Sequence, residues 1–335
     1  MDKIEVEGIK NLKGNIQISG SKNSSLPILA SSLLIDDEMV ISNIPNLSDI
    51  KFMIKILESL GSKVNFKNSI CKIKSNQPRN LKISYELVRK MRASFLILGP
   101  LLTKYGYAEV SLPGGCAIGT RPVDLHISAL EKMGAEFIIE DGYIKGKVKG
   151  RLKGCEITLK KISVGATENI IMAATLADGE TIIKNAAREP EISDLSNFLV
   201  DSGAEIDGYG TNVIKIKGKK RLRGCEFSVM PDRIEAGTYA LCVMGCSGNI
   251  ILENVNDLIC NHLKKIFKPL NVLFLSKKDN GNKLVIKRTN RFQKNVIIST
   301  KEFPGFPTDL QAQLIASLVK SEGKSVIKEN IFENR

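Results

Sequence analysis

An interval of about seventy residues recurs along this 335-residue chain and limits its fold more than any other feature. Leu60-Gly61-Ser62, Met133-Gly134-Ala135 and Ser202-Gly203-Ala204 each close an amphipathic helical pattern. Their glycines lie 73 residues apart (61 to 134) and then 69 (134 to 203). Arg151-Leu152-Lys153-Gly154-Cys155-Glu156 returns as Arg221-Leu222-Arg223-Gly224-Cys225-Glu226, a shift of 70. A fainter copy runs over Phe267–Leu275, with Asn271 at the glycine position. Within a unit, Ile50, Met53, Ile54, Leu57 and Leu60 keep the three-and-four spacing of one helix face. Val123, Ile127, Leu130 and Met133 do the same, with Pro122 suited to a first turn and Gly134 to a stop. Strands are expected at Glu136–Glu140, Tyr143–Val148, Asn212–Lys217 and Cys225–Val229. Further helices are expected at Ser24–Leu34, Ser84–Leu98, Ala166–Ala177, Arg233–Cys246 and Thr308–Lys320. Helices alternate with strands, so the class is α/β or α+β. Units this long do not make an ordinary solenoid; a few copies clustering around shared helices make each domain. The chain holds about 4.8 such units. It is therefore expected to stop inside a repeat, after a strand at Ser325–Ile331, and to be truncated relative to its full fold.

Length suggests two domains, and the 43% apolar and 25% charged composition is that of a soluble globular chain rather than a disordered one. The longest apolar runs, such as Phe95–Leu102, are too short for a membrane helix, and Met1–Gly14 has no signal-peptide core. The net charge of +13 favours anionic ligands or a solvated lysine-rich surface. The basic residues form no block, aromatics are 5% and Trp is absent, which argues against a nucleic-acid platform. Seven cysteines without CxxC spacing and only two histidines, His126 and His262, give no metal-site pattern. Most of the cysteines are expected to be buried thiols, which fits a reducing, cytoplasmic compartment. No Walker loop or dinucleotide fingerprint occurs.

Three segments can carry chemistry. Gly20-Ser21-Lys22-Asn23-Ser24 is a glycine turn into a helix, where free N–H groups and a lysine suit phosphate, or where the lysine is simply solvated. Leu112-Pro113-Gly114-Gly115-Cys116-Ala117-Ile118-Gly119-Thr120-Arg121-Pro122 is a glycine-rich loop with a cysteine near a basic helix start. Its thiol can serve as nucleophile or general acid, or be incidental to a surface loop. Phe303-Pro304-Gly305-Phe306-Pro307-Thr308-Asp309-Leu310 is a stiff turn with Asp309 at a helix start, either a base or a charge–dipole placement. Arg92 reads as an anion ligand or a solvated helix residue. Lys161-Ile162-Ser163-Val164-Gly165 offers a charge and free backbone groups. Met230-Pro231-Asp232-Arg233 reads as another helix entry. His126, beside Asp124 and Leu125, has no second histidine near it and is not expected to bind metal.

Taken together the segments resemble the enolpyruvyl transferases, in particular the UDP-N-acetylglucosamine 1-carboxyvinyltransferase family of peptidoglycan synthesis. The resemblance runs along the whole chain. It rests on GSKNSSLPILA from Gly20, MRASF from Met91, LPGGCAIGTRPVDLH from Leu112 and KISVGATENI from Lys161. MPDRIEAGTY from Met230, FPTDLQAQ from Phe306 and IFENR from Ile331 extend it. The resemblance implies an inside-out α/β barrel in each of two domains, each made of three units, with the active site in the cleft between them. It places a complete domain at residues 22–229 and a second one, incomplete at its C-terminus, at residues 1–21 plus 230–335. Two family arginines near the substrate carboxylate have no counterpart here, so activity of the chain as given is an open expectation.

The implied reaction joins phosphoenolpyruvate to the 3-hydroxyl of UDP-N-acetylglucosamine and releases phosphate, by addition and elimination. The resemblance makes Cys116 the proton donor, alkylated by fosfomycin, and Asp309 the acceptor of the sugar hydroxyl proton. Lys22, Arg92 and Arg121 hold phosphate and carboxylate, and Asn23 places the reacting group. Arg121, Pro122, Val123, Asp124 and Leu125, with Lys161, Ile162, Ser163 and Val164, contact the nucleotide sugar. Ile331 lines the site. No metal or organic cofactor is implied, nor a nucleic-acid or membrane partner. The cell-wall role carries with it cell shape and division. Sugar-nucleotide binding is expected to draw the domains together and close the Cys116 loop. The alternatives are a shikimate-3-phosphate enolpyruvyl transferase, an inactive UDP-sugar-binding remnant, and a nucleic-acid binder based on charge alone.

Overall fold

Gly61, Gly134 and Gly203, which mark the repeat in the sequence, adopt φ of 91°, 99° and 97°. Each ends a helix in the left-handed region that disfavours a side chain. The computed structural model describes residues 3–9, 11–78, 80–88, 91–111, 123–270, 272–277, 283–288 and 295–333. The side chains of Arg92, Ser276 and Lys277 lie outside that description.

The elements follow one order. Strand β1 (Leu12–Gln17) precedes helix α1 (Lys22–Ser31). The first repeat has β2 (Glu38–Ser42), α2 (Ser48–Ser59), β3 (Lys63–Lys67), β4 (Ile70–Lys74) and β5 (Lys82–Ile83). After α3 (Tyr85–Val88) and α4 (Leu98–Tyr105), the second has β6 (Tyr107–Ser111), α5 (Asp124–Lys132), β7 (Ala135–Glu140), β8 (Tyr143–Val148) and β9 (Glu156–Thr158). The third follows α6 (Val164–Ala174) with β10 (Glu180–Lys184), α7 (Pro190–Asp201), β11 (Glu205–Asp207), β12 (Val213–Lys217) and β13 (Glu226–Ser228). Then come α8 (Arg233–Cys246), β14 (Gly248–Glu253), α9 (Asp257–Phe267), β15 (Val272–Lys277) and β16 (Lys283–Arg288). The last are β17 (Ile297–Ser299), α10 (Gln311–Leu318) and β18 (Val326–Lys328).

Four sheets share one plan: β5-β6-β8-β7, β9-β10-β12-β11, β13-β2-β4-β3 and β1-β14-β16-β15. In each, a strand from an earlier part of the chain or the end of a repeat pairs parallel with the next, which takes two antiparallel strands on its other side. β17 and β18 form a parallel pair, with Ile297 opposite Val326.

The chain divides into two compact units, one of Gly20–Met230 and the other of residues up to Ser19 with Pro231–Glu333. In the first unit the three repeats close on themselves. β13, last in sequence, pairs with β2 of the first repeat, Glu226 opposite Val40 and Ser228 opposite Ser42. α1 and α6 are inside: Ser24–Ser31 and Ala166–Ala174 are buried throughout. Small and apolar residues make up most of both buried stretches, which suits an interior position, with Glu168 and Asn169 as the larger polar residues of α6. α2 instead buries the stripe Ile50, Met53, Ile56 and Leu57 and leaves its other face outward. In the second unit α8 and α9 lie beside their sheet, and α10 packs on α8. Among the described residues no helix is long and apolar enough to cross a membrane.

Two expectations need correction. The single helix expected over Ser84–Leu98 is instead α3, a 3-10 turn at Arg92–Ile97, and α4 running on to Tyr105. The Asn169 amide is the cause. Its Oδ1 accepts from Gly99 N–H (2.6 Å) and its Nδ2 donates to the Phe95 carbonyl (3.0 Å). These are the two groups that would otherwise bond to each other in a continuous helix. The cysteines are also less buried than expected. Among the described ones Cys71 and Cys260 are buried, Cys155 and Cys225 half-buried, and Cys242 and Cys246 exposed. The last pair sits four residues apart and so shares one outward face of α8.

Candidate active site

The Lys22 turn is built by close approach. A Cβ on Gly20 would lie 1.6 Å from the Asn43 carbonyl oxygen, so only glycine brings the chain this near β2. Asn43 in turn donates its side-chain amide to the Val229 carbonyl (2.7 Å). Ser21 caps α1, its hydroxyl accepting from Ser24 N–H (3.2 Å), and its own N–H donates to the Met230 carbonyl (2.8 Å). Lys22 and Asn23 occupy the first turn, half-buried, where backbone N–H groups lack helical partners. The Lys22 ammonium lies 3.4 Å from Asp49, at the start of α2. Ser24 donates its hydroxyl to Asp194 of α7, which also accepts Met230 N–H (3.1 Å). Burial pushes the Asp194 carboxyl up to about 6, although both hydrogen bonds pull the other way.

A second cluster joins two segments of the resemblance. Ser163 caps α6, accepting from Ala166 N–H (3.3 Å), and its carbonyl accepts the Thr167 hydroxyl (2.8 Å). This holds the Lys161–Val164 turn, with Lys161 exposed and Ile162 and Val164 against the core. His126 follows the Val123–Leu125 segment on α5. Its Nδ1 lies 3.0 Å from Asn169 Nδ2. Since the Asn169 oxygen is taken by Gly99 N–H, the amide nitrogen must donate, and His126 carries its proton on Nε2. The ring packs edge-on to Phe95 at 5.1 Å, and a Cβ on Gly165 would meet it at 3.3 Å. His126, Gly165 and Asn169 thus bring Val123–Leu125 beside Lys161–Val164.

In the other unit, Asp309 sits half-buried in the 3-10 turn Thr308–Leu310 that leads into α10. A Cβ on Gly237 of α8 would strike Leu310 Cδ1 at 2.5 Å, so that glycine lets the turn seat on the helix. Thr308 donates to Glu329 (2.9 Å), whose other oxygen accepts the N–H groups of Ile331 (2.8 Å) and Phe332 (3.0 Å). Burial alone would raise the Glu329 carboxyl, but these hydrogen bonds hold it below the usual range. Glu329 therefore ties the Asp309 turn to Ile331. Behind the turn, His262 Nε2 lies 3.3 Å from the Gly305 carbonyl, and its ring is 4.7 Å from that of Phe303.

Cys116, Arg121 and Pro122 lie outside the described residues, as does the side chain of Arg92. Reading the sequence passed over Asp194, Asn169 and Glu329, and weighed His262 only as a metal ligand. For Asn169 a signal existed, polar Thr167-Glu168-Asn169 ahead of the apolar run Ile170–Ala174 in one helix. For Asp194 and Glu329, nothing local distinguishes them from ordinary helix or loop residues.

Comparison with known proteins gives a consistent set. The family model described as EPSP synthase (3-phosphoshikimate 1-carboxyvinyltransferase) matches residues 6–335. The UDP-N-acetylglucosamine 1-carboxyvinyltransferase of Nitratidesulfovibrio vulgaris (strain DP4) is 47% identical over 337 residues, covering 100% of this chain and 79% of the relative. The protein of that name from Shewanella sediminis (strain HAW-EB3) is 48% identical over 336 residues, covering 100% and 80%. Among solved structures, the enolpyruvyl transferase NikO from Streptomyces tendae superposes with a TM-score of 0.85 at 18% identity, over 98% of this chain and 77% of that one. EPSP synthase from Acinetobacter baumannii gives 0.73 at 17%, over 96% and 74%.

Proposed function

The chain belongs to the EPSP synthase family of 1-carboxyvinyltransferases, and we propose that within it this protein transfers the enolpyruvyl group of phosphoenolpyruvate to the 3-hydroxyl of UDP-N-acetylglucosamine, releasing phosphate. The observation that carries this choice is identity of 47–48% along the whole chain to enzymes named for that reaction. It is supported by the Gly-Gly-Cys loop and the Arg121–Leu125 segment. The reaction is the committed step toward peptidoglycan, and the six described free thiols suit the cytoplasmic location that goes with it. We read residues 22–229 as one domain and residues 1–21 with 230–335 as the other.

In this reading the sugar 3-hydroxyl attacks C2 of phosphoenolpyruvate as Asp309 takes its proton, while the Cys116 thiol protonates C3. The tetrahedral adduct then loses a proton from C3 and expels phosphate, which leaves the enol ether. Lys22, Arg92 and Arg121 hold the phosphate and carboxylate, where fixed cationic donors are strong. Asn23 orients the reacting group. Pro122, Val123, Asp124 and Leu125 contact the nucleotide sugar together with Lys161, Ile162, Ser163 and Val164. Ile331 lines the site. The shared anionic character of the substrates gives the +13 charge a use in attracting them.

The test is phosphate release from phosphoenolpyruvate. It should require UDP-N-acetylglucosamine and should not occur with shikimate 3-phosphate. Cys116→Ala should lower turnover by about two to four orders of magnitude, the range of a general acid, with sugar-nucleotide binding retained. Turnover with shikimate 3-phosphate and not with the UDP-sugar would overturn the assignment.

A further inference from the structure

We propose that Asp194 is a positioning residue that holds the Lys22–Asn23 turn in the geometry a phosphate-bearing substrate requires; this rests on the reading of that turn as part of the proposed transfer site. Asp194 is 170 positions from Ser24 and belongs to another repeat, yet one of its carboxylate oxygens accepts both the Ser24 hydroxyl and Met230 N–H. The Met230 carbonyl accepts Ser21 N–H, and Ser21 Oγ accepts Ser24 N–H. The bonds form a closed circuit from Ser21 through Met230 and Asp194 to Ser24 and back. Lys22 and Asn23 are the two residues it spans.

Neighbouring serines show why Asp194 is needed. Ser25 and Ser31 are also buried on α1, and each satisfies its hydroxyl on the carbonyl four residues back, Ser21 and Pro27. For Ser24 that residue is Gly20, which precedes the helix and is pressed against Asn43. The Ser24 hydroxyl therefore needs an acceptor from elsewhere in the fold, and Asp194, 8% exposed, supplies it. Removing the carboxylate would orphan a buried hydroxyl and a buried N–H on either side of Lys22–Asn23. The cost falls on the turn, because the rest of α1 keeps its own hydrogen bonds. The pair with Asp49 restrains only the far end of the Lys22 side chain.

The experiment compares Asp194→Ala and Asp194→Asn in the full chain by two readouts. The first is amide hydrogen exchange over residues 20–26 without substrate. The second is KM for phosphoenolpyruvate against KM for UDP-N-acetylglucosamine. Asp194→Ala should speed exchange in that segment and raise KM for phosphoenolpyruvate by about tenfold each, as expected for losing a hydrogen bond to a charged group, with KM for the sugar nucleotide nearly unchanged. Asp194→Asn should restore both, because an amide oxygen can accept the same two donors. A purely structural Asp194 would reduce the active fraction and leave both KM values alone. The proposal is overturned if Asp194→Ala leaves exchange and KM unchanged, or if Asp194→Asn is as impaired as Asp194→Ala. If Asp194→Ala does not fold, Ser24→Ala takes its place and should shift exchange and KM in the same direction; no shift there overturns the proposal. If the wild-type chain shows no turnover, exchange over residues 20–26 still decides the role of Asp194.

Discussion

Two buried ionisable groups respond to acid in opposite directions. Burial pushes the Asp194 carboxyl up from 3.8 to about 6. The folded chain keeps this proton where the unfolded chain has lost it. Its stabilising share is full below the unfolded value and disappears as pH rises to about 6. A neutral Asp194→Asn should therefore be more stable than wild type near pH 7, by up to about 3 kcal/mol, with the gap closing toward pH 4. Urea unfolding of both proteins across that range checks this. Burial, reinforced by Arg233, pushes the His262 imidazole from 6.5 down to about 4. Its share is present above the unfolded value and is lost as pH falls through that interval. His262→Gln should flatten the acid limb of the stability profile, read from the same unfolding experiment. At this scale, the helix-start positions of Lys22, Asn23 and Asp309 were legible because glycine, proline and polar residues crowd around helix starts. Asp194 was not legible, because its meaning lies in a partner far away in the chain.

The helices on the inside of the first unit depend on polar groups as much as on apolar ones. Asn169 takes the place of one backbone hydrogen bond, divides a long helical pattern into a 3-10 turn and α4, and fixes the tautomer of His126. Asn169→Leu leaves the buried Gly99 N–H unpaired and the Phe95 carbonyl with only Leu98 N–H, and should cost about 1–3 kcal/mol, measured by denaturant unfolding, with the α2 and α7 regions unaffected in hydrogen exchange. Periodicity found α2 and α5 well, since their stripes and terminal glycines are local signals. It joined α3 to α4 because the interruption is imposed from α6, some seventy residues later.

The whole chain is organised by a strand that returns. Each repeat leaves a short strand for the next, and in the Gly20–Met230 unit β13 gives its strand back to β2. A chain of residues 20–230 should therefore fold alone and unfold cooperatively in urea. One ending at residue 224 should not, because the edge of β2 is left open to other chains, and size-exclusion chromatography should show aggregation. The sequence by itself determined the repeat length, the helix stops, the α/β class and the family, all of which are carried by neighbours within a few tens of residues. Only the tertiary structure decided which repeat closes on which, where α4 begins, and which carboxylates brace the Lys22 and Asp309 turns. Those outcomes depend on burying donors and acceptors from distant segments together, and the requirement that each find a partner acts in space rather than along the chain.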